Sequence, residues 1–302
     1  MENILTQLCS CYTVSGSELE GFSVIKNLLP QSTLLESDCN GNIIATLGNI
    51  NSDDVILLDA HNDRIGLIVE YIDDNGFLKV SNCGGIDRRV LAGSVVTVLG
   101  SKPLRGIVSC LPPHLSDGAE DKAPKNGTLY IDTGLSKTEV EKYVSPGDKA
   151  AVFAKPKKLI GSRFSAAGLD NKAGVASLIR TAQIIADSNI SSCVKILFSS
   201  QEETGLLGSR TASFKINPNC AVVVDVSFAS QPSVPADKCG VMSKGPMLGT
   251  APILDKEMLA GFKTIADENN IPYQIEVMNG TTGTNADAIT AVAGGIRTAL
   301  VS

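Results

Sequence analysis

Within "CVKILFSSQEETGLLGS" (residues 193–209), two adjacent glutamates, Glu202 and Glu203, follow directly on the apolar run Val194, Ile196, Leu197 and Phe198. A short apolar run of this kind suits a strand buried on both faces, and open α/β sheets place ligands at the carboxyl ends of such strands. Three further groups stand at comparable places. His61 follows "VILLDA", with Asn62 and Asp63 behind it; Asp170 precedes a long helical pattern; Asp225 ends "CAVVV". Carboxylates that converge at this density need a cation.

A mixed nitrogen and oxygen donor set suits zinc, cobalt or manganese better than magnesium, which prefers oxygen alone. A bridging carboxylate would support two ions about 3.5–4 Å apart, whose chemistry is to lower the pKa of a shared water. That chemistry also needs a base, so one of the paired glutamates can bind while the other moves a proton.

Taken singly, each residue has an ordinary use. Histidine is most often a hydrogen-bonded structural residue, aspartate before a helix is most often its N-cap, and aspartate after a strand forms turns. Solvation relieves most Glu-Glu pairs. Coincidence at four element ends is what favours a site. His114, in "LPPHLSD", is read as a loop residue without an assigned role.

The elements that must position these groups fall into two patterns. "SGSELEGFSVIKNLLP" carries a capping-box pattern, Ser17 with Glu20, followed by Phe22, Ile25, Leu28 and Leu29 at helical spacing. "STLLESDCNGNIIATLG" predicts two strands around a turn at Asn40 and Gly41, and "DVILLDAHND" a buried strand. From 65 to 157, short alternating runs broken by Gly, Pro and Asp predict a small all-β module, a barrel or sandwich. "DNKAGVASLIRTAQIIADS" then predicts a long helix with Val175, Leu178, Ile179, Ala182 and Ile185 on one face, and strands and helices alternate to the end. The predicted architecture is an α/β domain, 1–64 and 158–302, interrupted by a β domain at 65–157.

Composition limits the partners. The formal net charge of −6 argues against nucleic acid or an anionic membrane, and favours a small-molecule or peptide substrate. The N-terminal stretch lacks the basic region and long apolar core of a signal peptide, and no run is apolar enough to cross a bilayer, so the expectation is a cytoplasmic protein. The eight cysteines are scattered without CxxC spacing and read as reduced and structural.

The segments "DAHNDRIGLIVEYIDDNGFLKVSNCGG", "GIVSCLPPH", "LYIDTG", "GLDNKAG", "SSQEETGLLGS", "VVVDVS" and "GTNADAI", in this order over most of the chain, resemble the dinuclear metallo-aminopeptidases that include the glutamyl and tetrahedral aminopeptidases. The resemblance implies a three-layer α/β/α metallopeptidase domain with an inserted barrel-like β domain used in oligomer contacts. It implies two divalent ions per subunit: His61, Asp170 and Asp225 hold one, and Asp170 bridges to a second held by Glu203. Glu202 resembles the general base and Asp63 the carboxylate that orients His61. A cis peptide bond at Asp170–Asn171 and a homo-oligomer, a tetrahedral dodecamer, are also implied.

Three departures bear on these expectations. The family has glutamate where Arg64 stands and arginine where Lys172 stands, so a local charge pair is expected to be swapped or lost. Beyond "GGIRTALVS" relatives continue into an Arg-Tyr-x-His segment whose histidine completes the second metal site. For these 302 residues weakened second-site affinity and low activity are expected.

The leading reading is a metal-dependent aminopeptidase acting on peptides. Beside it stand an amidohydrolase or deacylase of N-acylated small molecules, a glycoside hydrolase using two carboxylates, which leaves His61 and Asp225 without purpose, and a non-catalytic scaffold.

Overall fold

The computed structural model describes residues 1–109 and 128–302. His114 and Cys110, and with them part of the "GIVSCLPPH" segment, lie outside the described residues. Along the chain come α1 (Glu2–Cys9), a 3-10 turn at Glu18–Gly21, α2 (Phe22–Leu28), β1 (Leu34–Ser37), β2 (Ile43–Gly48) and β3 (Val55–His61). A run of strands follows: β4 (Gly66–Ile72), β5 (Leu78–Cys83), β6 (Val95–Leu99), β7 (Pro103–Ser109) and β8 (Leu129–Asp132), then α3 (Lys137–Val140), β9 (Lys149–Val152), β10 (Lys157–Lys158) and β11 (Phe164–Ser165). The remainder is α4 (Leu169–Ala186), β12 (Cys193–Ser199), α5 (Leu207–Ile216), β13 (Cys220–Val224), β14 (Met247–Thr250), α6 (Lys256–Glu268), β15 (Gln274–Val277), α7 (Ala286–Ile289) and β16 (Arg297–Val301).

Two compact units result, one of Met1–Cys11, Glu18–Asp63 and Leu169–Ser302, the other of Tyr12–Ser17 and Arg64–Gly168. The first is built on an eight-stranded mixed sheet of order β1-β2-β12-β3-β13-β16-β14-β15. Its central strands β12, β3, β13 and β16 run parallel. Strand periodicity then assigns faces. Ile43, Ala45, Leu47, Val194, Ile196 and Phe198 join one core with α1, α2 and α4 residues, while Ile44, Leu57, Leu197 and Val223 join a second core with Ala212 of α5 and Ile289 of α7. Helices on both faces make three layers, which is why β12 reads as a continuous apolar run rather than an alternating one.

In the second unit β4-β5-β8-β7-β6-β9 close into a barrel, sealed by the antiparallel pairing of β4 with β9. Leu67, Val80, Val96, Val98 and Ile131 fill it. Closure leaves no free edge, which suits short strands that could not each protect one. The ribbon β10-β11 belongs to this unit.

Two local expectations are corrected. Helix α2 starts at Phe22 with Gly21 at its N-cap and no side-chain capping bond, so Ser17 and Glu20 do not box it. The β1-β2 connection pairs Ser37 with Ile43, a longer loop than a two-residue turn, because the Asp38 carboxylate gathers the N–H groups of Asn40 and Asn42 at 2.9 and 3.1 Å.

Candidate metal centre

His61 is the last residue of β3 and pairs in parallel register with Ser199, the last of β12. This register sets the carboxyl ends of the two strands level, so the loop that carries Glu202 and Glu203 leaves the sheet beside His61. Asp225 follows β13 on the other side of β3, its N–H bonded to Val301 O at 3.1 Å. Asp170 opens α4.

The helix start shows how Asp170 escapes the commoner use of an aspartate there. Asp170 (φ −80, ψ 108) and Asn171 (φ −116, ψ 38) are non-helical, and the bond between them is cis, as the resemblance implies. Asn171 is the cap: its Oδ1 accepts the N–H of Gly174 at 3.0 Å, and its amide donates to Val224 O at 2.9 Å. At Gly174 a Cβ would stand 2.4 Å from Asn171 Oδ1 and 2.9 Å from Val224 O, so only glycine admits this approach of helix to strand end. Asp170 is left with its carboxylate turned elsewhere, 60% exposed and 3.1 Å from His61 Nε2.

Around His61 the protonation pattern is constrained. Nδ1 faces two acceptors, Asp63 O at 3.2 Å and Asp63 Oδ1 at 3.3 Å, and so carries the proton. Nε2 then presents a lone pair toward Asp170 Oδ1 at 3.1 Å and Asp225 Oδ1 at 3.8 Å. One donor atom from each of His61, Asp170 and Asp225 lies within 4.8 Å of the others. Three acceptors converging on one point repel unless a cation or a proton sits among them, so the donor set fits a divalent metal. Without one, a proton serves. Burial opposes charge on His61, but hydrogen bonds to Asp170 and Asp63 and the Asp225 charge overcome it, and its pKa is raised well above the ordinary value.

The acidic groups respond in kind. Burial, then the charges of Asp225, Glu203 and Asp63, push Glu202 up to about 8 against the attraction of His61. Burial and Asp170 push Glu203 up to about 7, and burial chiefly pushes Asp225 to about 6. A bound cation would reverse these shifts, since it favours every charged form.

The loop carrying both glutamates is held by residues far away in sequence. Asp63 accepts the backbone N–H groups of Glu202 and Glu203 on its two oxygens, at 3.0 and 3.2 Å. Glu18 accepts from Gln201 N at 3.0 Å, and Asn42 accepts from Ser200 N at 2.9 Å. Gln201 itself sits at φ +53. Gly208 completes the turn, because a Cβ there would come within 2.3 Å of Ser200 O. Behind the strand ends Asn285, from "GTNADAI", donates to Asp59 at 2.9 Å and to Ser199 at 2.8 Å. Buried Lys172 donates to Asn62 O at 2.6 Å and to Asn62 Oδ1.

The structure thus gathers all six sequence-predicted residues. Sequence reading missed Glu18, Asn42 and Asn285, which act through backbone or buried contacts. Local signals were present in the acidic Glu18 of "SELEG", part of the stretch read as a helix start, and in "GTNADAI", the family-like segment that holds Asn285 without a role being assigned to it. A cavity of about 440 Å³ opens over the cluster, lined by His61, Asp170, Glu202, Glu203 and Asp225 and, on its other walls, by residues that include Phe228, Glu276, Met278 and Thr284.

The family model described as M42 glutamyl aminopeptidase matches residues 41–302. The chain belongs to this family. It is therefore a peptide hydrolase, an aminopeptidase by family. It is similar to a lysyl aminopeptidase of Pyrococcus furiosus, 30% identical over 299 residues that span 96% of this chain and 84% of that one. Among solved structures it superposes on an aminopeptidase from the archaeon Desulfurococcus kamchatkensis with a TM-score of 0.91 and 28% identity, covering 99% of this chain and 85% of that chain. It also superposes on the Pyrococcus horikoshii TET1 peptidase, which can assemble into a tetrahedron or a large octahedral shell, with a TM-score of 0.88 and 30% identity over 99% of this chain and 89% of that one. Among the described residues, no helix of this M42 peptidase is long and apolar enough to cross a membrane.

Proposed function

We propose that this M42 aminopeptidase removes the N-terminal residue of peptides with two divalent ions and a glutamate base. The carrying observation is the convergence of His61 Nε2, Asp170 and Asp225 acceptors on one point, with Glu202 and Glu203 lining the same cavity. His61, Asp170 and Asp225 would hold one ion, and Asp170 would bridge to a second held by Glu203. Zinc, cobalt or manganese fits this donor set. Such ions would supply Lewis acidity and a water of lowered pKa.

The chain's own groups do the rest. Glu202 takes a proton from the attacking water and delivers it to the departing amine, and the burial that raises its pKa also makes it a stronger base. Asp63 keeps the proton on His61 Nδ1 and holds the peptide N–H groups of Glu202 and Glu203, fixing base and ligand together. We further assign the chain to a tetrahedral homododecamer, on the strength of its similarity to the TET1 peptidase; sedimentation of the purified protein tests this.

The test of the catalytic reading is hydrolysis of aminoacyl and N-acetyl-aminoacyl anilides by metal-stripped protein after zinc, cobalt or manganese is restored. Metal-dependent release only from substrates with a free amino group is expected. Release from the N-acetyl series instead would establish a deacylase, and no release with any metal would overturn the catalytic reading.

A further inference from the structure

One buried carboxylate near the cluster takes no part in the metal binding or proton transfer described above. Glu18 opens the 3-10 turn Glu18–Gly21 and is 2% exposed. Its Oε1 accepts the N–H of Gln201 at 3.0 Å, across 183 residues of chain. Its backbone carbonyl accepts from Asn62 Nδ2 at 3.2 Å, and Asn62 stands between His61 and Asp63. Glu18 is thus tied through its main chain to the segment that bears His61 and through its side chain to the segment that bears Glu202.

We propose that Glu18 is a positioning residue for the base, acting through the Gln201 peptide to fix where the Glu202 carboxylate stands. This rests on the aminopeptidase reading with Glu202 as its base. Three observations carry it. The first is backbone conformation. Gln201 sits at φ +53, in the left-handed region that a residue with a side chain keeps only where its surroundings hold it. The bond from its N–H to Glu18 is such a hold, and a carboxylate acceptor makes it a strong one. Released, Gln201 would relax toward negative φ and swing the chain that follows, beginning with Glu202.

The second is the set of acceptors. Four successive N–H groups end on side-chain oxygens: Ser200 on Asn42, Gln201 on Glu18, and Glu202 and Glu203 on the two oxygens of Asp63. Of these four residues only Gln201 has a positive φ, and Glu18 is the side chain that meets it there. The third is space. At Gly41 a Cβ would stand 3.3 Å from Glu18 Oε2 and 3.8 Å from Ser200 Cβ, so the glycine lets the carboxylate lie between the 38–42 and 200–203 loops. Position matters more for the base than for its neighbour. A ligating Glu203 is drawn into place by its ion, whereas a base is placed by its backbone and neighbours alone.

The experiment compares the wild type with Glu18→Asp and Glu18→Gln in the full 302-residue chain. Glu18→Asp keeps the charge but withdraws the carboxylate by one methylene, about 1.5 Å, beyond hydrogen-bonding reach of Gln201 N. Glu18→Gln keeps the reach and an acceptor oxygen without the charge. With the metal that supports turnover restored, Glu18→Asp should lose about 10–100-fold in kcat on a leucyl anilide, with KM and metal content unchanged. Glu18→Gln should lose less than about fivefold, since a neutral acceptor weakens the bond without removing it. Hydrogen exchange of the metal-free protein, read by mass spectrometry on fragments spanning 200–206, should be faster in Glu18→Asp than in wild type or Glu18→Gln. A fall in Glu18→Gln as deep as in Glu18→Asp, a change confined to KM or metal content, or wild-type kcat and exchange in Glu18→Asp overturns the assignment and leaves the aminopeptidase reading intact. If the wild type cleaves no free-amino substrate, that reading fails, and exchange alone decides whether Glu18 holds the Gln201 peptide.

Discussion

Asp63 accepts the backbone N–H of Glu202 at 3.0 Å across 139 residues of chain, and the same carboxylate stands 3.3 Å from His61 Nδ1. One buried group therefore orients an imidazole and anchors the proposed base. In Asp63→Asn the amide nitrogen would present a donor to a backbone N–H, breaking one of the two bonds. Loss of a carboxylate behind a ligating histidine costs about 10–100-fold in metal affinity or activity. Both kcat and the zinc dissociation constant should move, and a change in only one would separate the two duties.

Glu202→Gln keeps shape and removes the base. The expected result is a fall in kcat of about 10²–10⁴ with bound-metal content, read by elemental analysis, unchanged. Loss of metal together with activity would make Glu202 a ligand instead.

The raised pKa values make a signed prediction for the metal-free protein. Folded Glu202 and Glu203 titrate at about 8 and about 7 against an ordinary 4.5, and Asp225 at about 6 against 3.8. Between those limits the folded state binds more protons than the unfolded one, so stability falls as pH rises from about 4.5 to about 8. His61, also raised, acts in the same direction: its contribution is full below 6.5 and is lost as pH rises through its folded value. Melting temperature of chelated protein should therefore decline over this range, less so in Glu202→Gln, and saturating zinc should reverse the trend. A chelated protein that melts higher at pH 8 than at pH 5 would contradict this account.

Lys172→Met tests the buried ammonium. It removes the donor that serves Asn62 O and Oδ1 and leaves those acceptors without that bond, at a cost of about 1–3 kcal/mol. Urea unfolding of the metal-free protein measures it. No loss of stability would show that Asn62 finds other donors.

Much of the architecture was legible because it follows local periods. β12 and β3 read as apolar runs because they are covered on both faces, and α4 reads as a helix because Val175, Leu178, Ile179, Ala182 and Ile185 recur on one buried face. The alternating runs that close into a barrel were equally readable, although alternation does not distinguish barrel from sandwich. The start of α2 was misread because Ser-x-x-Glu is only a permitted pattern, and here the 3-10 turn at Glu18–Gly21 turns Glu18 toward Gln201.

By itself the sequence determined which residues could ligate or move protons, and that each stood at the end of an element, because residue type and hydrophobic period are local properties. Only the tertiary structure decided that Ser199 pairs with His61, that Asn171 rather than Asp170 caps α4, and that Glu276, four strands from β3 in the sheet order, faces the same cavity. Those facts depend on strand order and register. Order and register are set by which distant faces bury one another, and no window of neighbouring residues contains that information.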